Sequence, residues 1–514
     1  MRIIGFLISI IVIIVVFIVG MRLLFPLPDA TDVAESSYVQ SSEATMMGQA
    51  KARGEAEHPG LSGVRPLADG PEALAARVLL ARNAEESIDA QYYIWQEDTT
   101  SWLLLDELRQ AAERGVRVRL LLDDNGIPGL DEELAALNAM ENFEVRLYNP
   151  FTLRNPKLLS YVFDFSRLNH RMHNKAMIAD GAVSIIGGRN IGDIYFEFGD
   201  GAHYFDFDTV AIGPATDAVS ANFDDYWNSA SAYPAELILD EPTPEGLESV
   251  KAEGQAARET VDGSAYLKLV QNSDMMAELG TPDFFEWTNV ELITDDPVKT
   301  LREAEGDELM INKLARILAD ADTSVDLVSA YFIPADKGTE LLSSLAERGV
   351  NTRVLTNSLE SNDVSSVHSA YMKYRPKLVE NGVIVLELTA EAAGAHTDKL
   401  PTVLGSTSSL HAKSFAIDGD EVFIGSFNFD PRSAQLNTEM GLLIESPTIA
   451  AGISSALEDP SRFYRVRDID IGQIDWEHVN REGAEKLFVT EPNVPWTKRA
   501  IVTFMSWLPI EWML

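Results

Sequence analysis

The residues His173-Asn-Lys-Ala-Met-Ile-Ala-Asp-Gly-Ala-Val-Ser-Ile-Ile-Gly-Gly-Arg-Asn190 return in outline as His411-Ala-Lys-Ser-Phe-Ala-Ile-Asp-Gly-Asp-Glu-Val-Phe-Ile-Gly-Ser-Phe-Asn428. Each copy has a lysine two residues after its histidine, an aspartate five further on, a Gly-Gly or Gly-Ser pair, and an asparagine 17 residues after the histidine. A lone His-x-Lys is weak evidence, because ordinary strand alternation produces it often. Two copies with matched downstream spacing point to a single site assembled from both halves of the chain.

Side chains two apart in a strand share a face, so His173 projects with Lys175, and His411 with Lys413. Asp180-Gly181 and Asp418-Gly419 sit between apolar runs and carry the chemistry of a tight hairpin. That gives both aspartates a structural or supporting part in preference to a chemical one. Gly187-Gly188 and Gly425-Ser426 end the returning strand, where small residues let a ligand approach the backbone, which makes Gly188 and Ser426 candidate substrate contacts. Asn190 and Asn428 can donate hydrogen bonds at the same place.

Two histidines, two lysines and two asparagines, with no required acidic ligand, suit a phosphodiester better than a metal. The lysines and amides can neutralise non-bridging phosphoryl oxygens as charge shifts in the transition state. One imidazole can attack phosphorus while the other, protonated, gives its proton to the departing alcohol. Such a histidine is commonly held by a carboxylate at its other ring nitrogen. The candidates are Glu439, which opens an apolar strand after the second motif, and Asp208, in Phe205-Asp-Phe-Asp-Thr-Val-Ala-Ile212 after the first; Asp206 competes with Asp208.

The repetition extends outward. Gly70 to Ser87 is an amphipathic helical pattern that leads into strand-like Ser87–Trp95, and Gly306 to Ser324 leads likewise into Ser324–Pro334. Ala112-Glu-Arg-Gly-Val116 and Ala346-Glu-Arg-Gly-Val350 each end a helix at a glycine and open an apolar strand. Tyr92 lies 81 residues before His173 and Tyr331 lies 80 before His411. Tyr92 and Tyr331, with Tyr93 and Trp95, are candidate linings of a substrate pocket, although aromatic strand residues are commonly core. Strands alternating with helices imply an α/β sandwich in each half, and the halves should face each other about a pseudo-twofold axis.

The ends of the chain read differently. From Ile3 to Met21 there are 19 residues without a charge, enough for a helix to cross the hydrocarbon layer. Met21 to Pro28 offers no small-residue cleavage site, so an uncleaved anchor is expected. Arg2 and Arg22 flank the run, which leaves the positive-inside signal nearly balanced. Trp496 to Leu514 places Ile501, Phe504, Met505, Leu508 and Trp512 near one helical face, either as an interfacial segment or as a helix docked on the protein's own core. The expected division is an anchor over 1–25, a flexible tether over 26–62, a first repeat over 63–230, a linker with some helix over 231–291, a second repeat over 292–470, and a membrane-proximal segment over 471–514. The small, polar stretch Ala390–Ser409 reads as a loop just before His411.

Among 514 residues there is no cysteine, so neither a disulfide framework nor a thiolate metal site can exist. The formal net charge of −39 repels polyanions and argues against a nucleic-acid binder. The six histidines outside the motifs form no metal-like cluster.

Two His-x-Lys-x-x-x-x-Asp motifs, each followed by Gly-Gly or Gly-Ser and an Asn, resemble the phospholipase D superfamily. Within it, Arg146-Leu-Tyr-Asn-Pro-Phe151, Arg167-Leu-Asn-His-Arg-Met-His173, Asp430-Pro-Arg-Ser433, Leu436-Asn-Thr-Glu439 and Leu508-Pro-Ile-Glu-Trp512 resemble bacterial cardiolipin synthases of the C type. The family's leading pattern has Arg where His170 stands. The resemblance implies phosphatidyl transfer through a phosphohistidine, without metal, nucleotide or other cofactor, with phospholipids as substrates and the membrane as partner. Two phospholipids would condense to cardiolipin, releasing glycerol from phosphatidylglycerol or ethanolamine from phosphatidylethanolamine; a hydrolytic phospholipase D or another phosphodiesterase is the alternative. It also implies that His173 attacks and His411 handles the proton, with the reverse left open, and that the chain sits in a bacterial inner membrane with its catalytic region on the periplasmic side.

Overall fold

Strand alternation at the two motifs sorts the core. Ala176 and Ile178 face one buried cluster and Met177 and Ala179 another; Ala416 likewise faces the first cluster while Phe415 and Ile417 face a third. Both strands are therefore covered on both sides, as their nearly unbroken apolar sequences require. The structure, a computed structural model, describes residues 2–199, 202–273, 275–279, 281, 283–393, 409–470 and 473–514.

The first half contributes β1 (Ser62–Leu67), β2 (Ser87–Tyr92), β3 (Arg117–Asp123), β4 (Phe143–Tyr148), β5 (Ala176–Ala179), β6 (Val183–Gly187), β7 (Tyr204–Phe205), β8 (Asp208–Ile212), β9 (Ala232–Pro234) and β10 (Glu286–Thr288). The second contributes β11 (Val290–Thr294), β12 (Ser324–Ser329), β13 (Asn351–Asn357), β14 (Ile384–Leu388), β15 (Ser409–Leu410), β16 (Lys413–Ile417), β17 (Glu421–Gly425), β18 (Met440–Glu445), β19 (Phe463–Asp470), β20 (Gln473–Val479) and β21 (Glu485–Phe488). One sheet runs β10-β1-β8-β6-β5-β2-β3-β4-β9 and the other β11-β18-β17-β16-β12-β13-β14-β19-β20-β21. The order β1-β8-β6-β5-β2-β3-β4 recurs as β11-β18-β17-β16-β12-β13-β14, with the parallel pairs β2–β3–β4 and β12–β13–β14 in matching places. This is one α/β topology used twice.

The repeats meet face to face across a shared core in which Ala176, Ile178 and Ile186 join Ala416, Ile424 and Leu442. Backbone also crosses the seam, because β15 pairs in parallel with β7 and Met172 bridges Thr438. At the hairpin tips, Asp180 and Gly181 have φ of 52° and 57°, and Asp418 and Gly419 have φ of 54° and 75°. The Asp180 carboxylate accepts from the N–H groups of Glu85, Glu86 and Ser87, and Asp418 accepts from those of Asp322, Thr323 and Ser324. Each aspartate thus ties its hairpin to the start of the adjacent strand.

Two flanking segments carry more structure than their compositions suggest, and between the repeats the linker holds the helix its composition does suggest. Within 26–62, read as a flexible tether, Thr45 caps a helix over Met46–Glu57 whose Met47 is fully buried, and the Ser36 and Ser37 carbonyls accept from Arg119 and Arg117 of the first repeat. The 231–291 linker holds helices Pro244–Glu259 and Val261–Asn272, with Val250 and Ala257 in the first repeat's outer core and Arg258 paired to Asp106 and Glu107. In the last segment β20 and β21 extend the second sheet, and Trp476 donates to Glu387 at 2.9 Å.

The helix Arg2–Leu24 covers the run read as an anchor. Among the described residues no helix is long and apolar enough to cross a membrane. The side chains of residues 1–5, 7 and 8 lie outside the described set, and with them part of Ile3–Met21. Residues 394–408, most of the loop expected before His411, also lie outside it. At the other end, helix Trp496–Ser506 docks through Val502 and through Lys498, which donates to the Leu359 carbonyl, while Trp496, Phe504, Trp507 and Trp512 stay exposed.

Candidate active site

Each motif histidine is positioned by the other repeat. The His173 N–H donates to the Thr438 carbonyl at 2.9 Å, and the His411 N–H donates to the Phe205 carbonyl at 2.6 Å. The residue after each of those carbonyls is the carboxylate that takes the ring. His173 Nδ1 lies 2.8 Å from Glu439 Oε2, and His411 Nδ1 pairs with Asp206. With Nδ1 engaged, Nε2 is the nitrogen left on each ring for chemistry. Lys175 Nζ donates to the His173 carbonyl at 2.6 Å, and Lys413 Nζ donates to that of His411. All four side chains are buried.

Asp206, not Asp208, orients His411. Strand register gives the reason: Gly187 pairs with Asp208 and Gly425 with Gly441, so the counterpart of Glu439, two residues before Gly441, is Asp206. Asp208 instead accepts from Arg77 at 2.9 Å and lies 3.4 Å from Arg189, a fully buried ion-pair cluster under the sheet. Tyr92 belongs to that cluster too, since its hydroxyl accepts from Arg77 at 3.0 Å; it is core and does not line the site. Its neighbour Tyr93, on the opposite face, sets its ring against His173 at 5.0 Å and has Lys175 over it at 5.5 Å.

Gly188 and Ser426 occupy equivalent places beside the two orienting carboxylates. A Cβ on Gly188 would stand 2.1 Å from Asp206 Oδ1, and the Ser426 hydroxyl donates to Glu439 Oε2 at 2.5 Å. Both therefore shape the carboxylates' seats. Asn190 accepts from the Ile94 N–H at 3.1 Å and donates to the Tyr195 hydroxyl at 3.1 Å, while Asn428 has a buried Oδ1 with no partner among the described residues. Asp180 and Asp418 sit at the hairpin tips, beyond the far ends of the strands that follow His173 and His411.

Tyr331 is brought close by a route that spacing does not reveal. Its hydroxyl and that of Tyr204 both donate to Asp363 Oδ2, at 2.8 and 2.9 Å. Tyr204 in turn stacks on His411 with centroids 5.0 Å apart, and Tyr195 meets the same imidazole edge-on at 5.2 Å. Tyr195, Tyr204 and Asp363 carried no motif signal in the sequence. Two more supports escaped it: the Ser433 hydroxyl donates to Glu439 Oε1 at 2.7 Å, and Asp295, itself paired with Lys299, accepts from the Glu439 N–H.

Electrostatics makes the two halves of the site unequal. Burial, then the charges of Lys175, Lys413 and His411, holds His173 well below the ordinary imidazole range. His411 is lowered by burial and Lys413, but Asp206 opposes the shift. Burial lowers Lys175 to about 7 and Lys413 to about 8. Burial raises Glu439 to about 7 against the pull of Lys175, whereas for Asp206 burial is outweighed by His411 and Lys413 and the group is lowered. Four buried basic groups that resist protonation form a cradle that an anion would satisfy.

A family model described as "Cardiolipin synthase, PLD-like domain" matches residues 79–227 and 314–459. The chain is 42% identical over 465 residues to cardiolipin synthase C of Escherichia coli (strain K12), covering 89% of this chain and 97% of that protein. It is 32% identical over 503 residues to an uncharacterized protein of Helicobacter pylori (strain ATCC 700392 / 26695), covering 94% and 96%. Among solved structures, a phosphatidylserine synthase of Haemophilus influenzae Rd KW20 shares the fold, with a TM-score of 0.57 at 13% identity over 90% of this chain and 99% of that one.

Proposed function

The chain belongs to the PLD-like cardiolipin synthase family, and from that premise we propose that it joins two phospholipids by phosphatidyl transfer to give cardiolipin. The observation that carries the reading is the crossed pair His173–Glu439 and His411–Asp206 around two buried lysines. His173 Nε2 attacks the phosphorus of the donor lipid, forming a P–N bond as the P–O bond to the small alcohol breaks. The His411 imidazolium gives its proton to that departing oxygen. Neutral His411 then takes a proton from the hydroxyl of a second phospholipid, whose oxygen attacks phosphorus and releases His173. Lys175, Lys413 and the two asparagines hold the non-bridging oxygens throughout.

The unequal electrostatics supports this division of labour. His173 resists protonation more strongly and suits attack, while charged Asp206 favours a proton on His411. The departing alcohol is glycerol with phosphatidylglycerol as donor and ethanolamine with phosphatidylethanolamine.

The catalytic body is taken as two repeats, 63–230 and 292–470, and the run Ile3–Met21 as the anchor in a bacterial inner membrane, with the site on the periplasmic side. Exposed apolar residues support attachment. Ile11 to Val16 are at least half exposed, and Phe25, just past that helix, stacks on Phe163, whose own helix exposes Val162 and Phe165. Trp512 meets Phe165 edge-on at 6.3 Å, which makes the apolar margin continuous with the C-terminal tryptophans.

Purified protein in vesicles of phosphatidylglycerol, with and without phosphatidylethanolamine, should yield cardiolipin identified by mass spectrometry. Phosphatidic acid as the sole product would replace transfer by hydrolysis. His411→Asn should accumulate labelled phosphoenzyme on His173, and label on His411 in His173→Ala would reverse the roles.

A further inference from the structure

The carboxylate of Asp363 is bonded on one oxygen only. Oδ2 accepts from Tyr204, of the first repeat, and Tyr331, of the second, while Oδ1 is buried and has no partner among the described residues. Leaving a buried acceptor unpaired is costly, and each such atom calls for an explanation. Both tyrosine hydroxyls are pushed above their ordinary range, by burial and then by the Asp363 charge, so they remain donors and offer no proton for chemistry. One ring separates this carboxylate from the reaction, because the same Tyr204 lies flat against His411, with an interplanar angle of 11°. Asp363 also contributes to holding the charge on Lys413.

We infer that Asp363 Oδ1 accepts a hydrogen bond from the far end of the departing alcohol, and so selects donor lipids whose head group carries a second O–H or N–H. The inference rests on the proposed assignment of His411 as the group that protonates that alcohol, which places the leaving head group on the Tyr204 side. Glycerol offers hydroxyl donors and ethanolamine offers an ammonium; a simple alkyl alcohol offers neither. An anionic oxygen in a buried site favours such donors over apolar groups of equal size. Asp363 is thus a specificity-determining residue whose effect falls on the choice of donor.

The test uses the full chain in vesicles and follows consumption of the donor, whichever acceptor takes the phosphatidyl group. It compares labelled phosphatidylglycerol with labelled phosphatidylpropanol, which has the same three-carbon alcohol without free hydroxyls, each in the same excess of unlabelled phosphatidylglycerol so that both donors meet the same acceptor hydroxyl. Wild-type protein should favour phosphatidylglycerol in kcat/KM by about tenfold or more, equivalent to about 1.4 kcal/mol. Asp363→Asn, which turns the waiting acceptor into a donor, and Asp363→Leu should both collapse that ratio. Wild-type protein that consumes both lipids equally well would overturn the inference with no variant needed. So would variants that lose both activities in proportion, since a merely structural role predicts that result. Because donor loss is measured, a finding that the product is phosphatidic acid would refute cardiolipin synthesis and leave this inference standing.

Discussion

Replacing Asp206 by asparagine removes one charge and almost no volume. The seat is tight, since a Cβ on Gly188 would already meet Asp206 Oδ1 at 2.1 Å, and asparagine fits it. What is lost is the carboxylate that holds His411 Nδ1 and opposes the lowering of its proton affinity by burial and by Lys413. Hydrogen bonds to charged groups contribute about 1.5–3 kcal/mol. At about 1.4 kcal/mol per tenfold, kcat for transfer should fall by roughly 10- to 150-fold. The variant's His411 also holds its proton less well, so the alkaline limb of the pH profile should move to lower pH.

Asp208→Asn is the matched control. It breaks a buried pair with Arg77 at 2.9 Å, which costs about 3–5 kcal/mol of stability when one partner is removed. Its melting temperature should drop by several degrees, whereas Asp206→Asn should melt close to wild type. The assay is phosphatidyl transfer on vesicles from pH 5 to 9, paired with thermal denaturation of the same preparations. An Asp206→Asn protein that turns over at the wild-type rate, beside a folded but inactive Asp208→Asn, would refute the argument and restore Asp208 as the orienting group.

The partner carboxylate behaves differently: Glu439 is raised to about 7, so below that pH its neutral form resembles glutamine. The loss caused by Glu439→Gln should therefore grow as pH rises through 7, and a ratio of wild-type to variant kcat that stays flat from pH 6 to 8 would contradict the assignment. Lys175 and Lys413 titrate at about 7 and about 8 in the free protein, and their protonated forms bind the anionic oxygens. Hence kcat/KM should decline as pH rises from 7 to 9, and a rise over that window would mean the lysines do not act as cations. Trp496 and Trp507 are 72% and 76% exposed, and exposed substitutions usually change stability by no more than about 0.5 kcal/mol. Changing both to serine should raise the apparent KM for vesicle lipid about tenfold with the melting temperature unchanged; an unaltered KM would show that this face does not meet the bilayer.

The pairing of the two motifs was legible because equal spacing in both halves makes accident implausible, although the strands begin only at Ala176 and Lys413. Strand parity could not choose between Asp206 and Asp208. In an unbroken strand, residues two apart share a face, but β7 ends at Phe205 and β8 begins at Asp208, so Asp206 sits in the break and turns to the other repeat. Parity also separates Tyr92 from Tyr93: the first goes under the sheet to Arg77 and the second goes to His173. Composition failed in another way at the tether, where glycine and alanine suggest flexibility yet here permit close packing; a Cβ on Gly54 would stand 2.1 Å from the Trp287 ring. The deepest feature that spacing hides is the exchange across the seam. Each imidazole is held by a carboxylate 205 or 266 residues away in the chain, and Asp363 joins tyrosines from both repeats. Neither repeat therefore holds a complete site, and a substitution at the seam should act on the histidine of the opposite half.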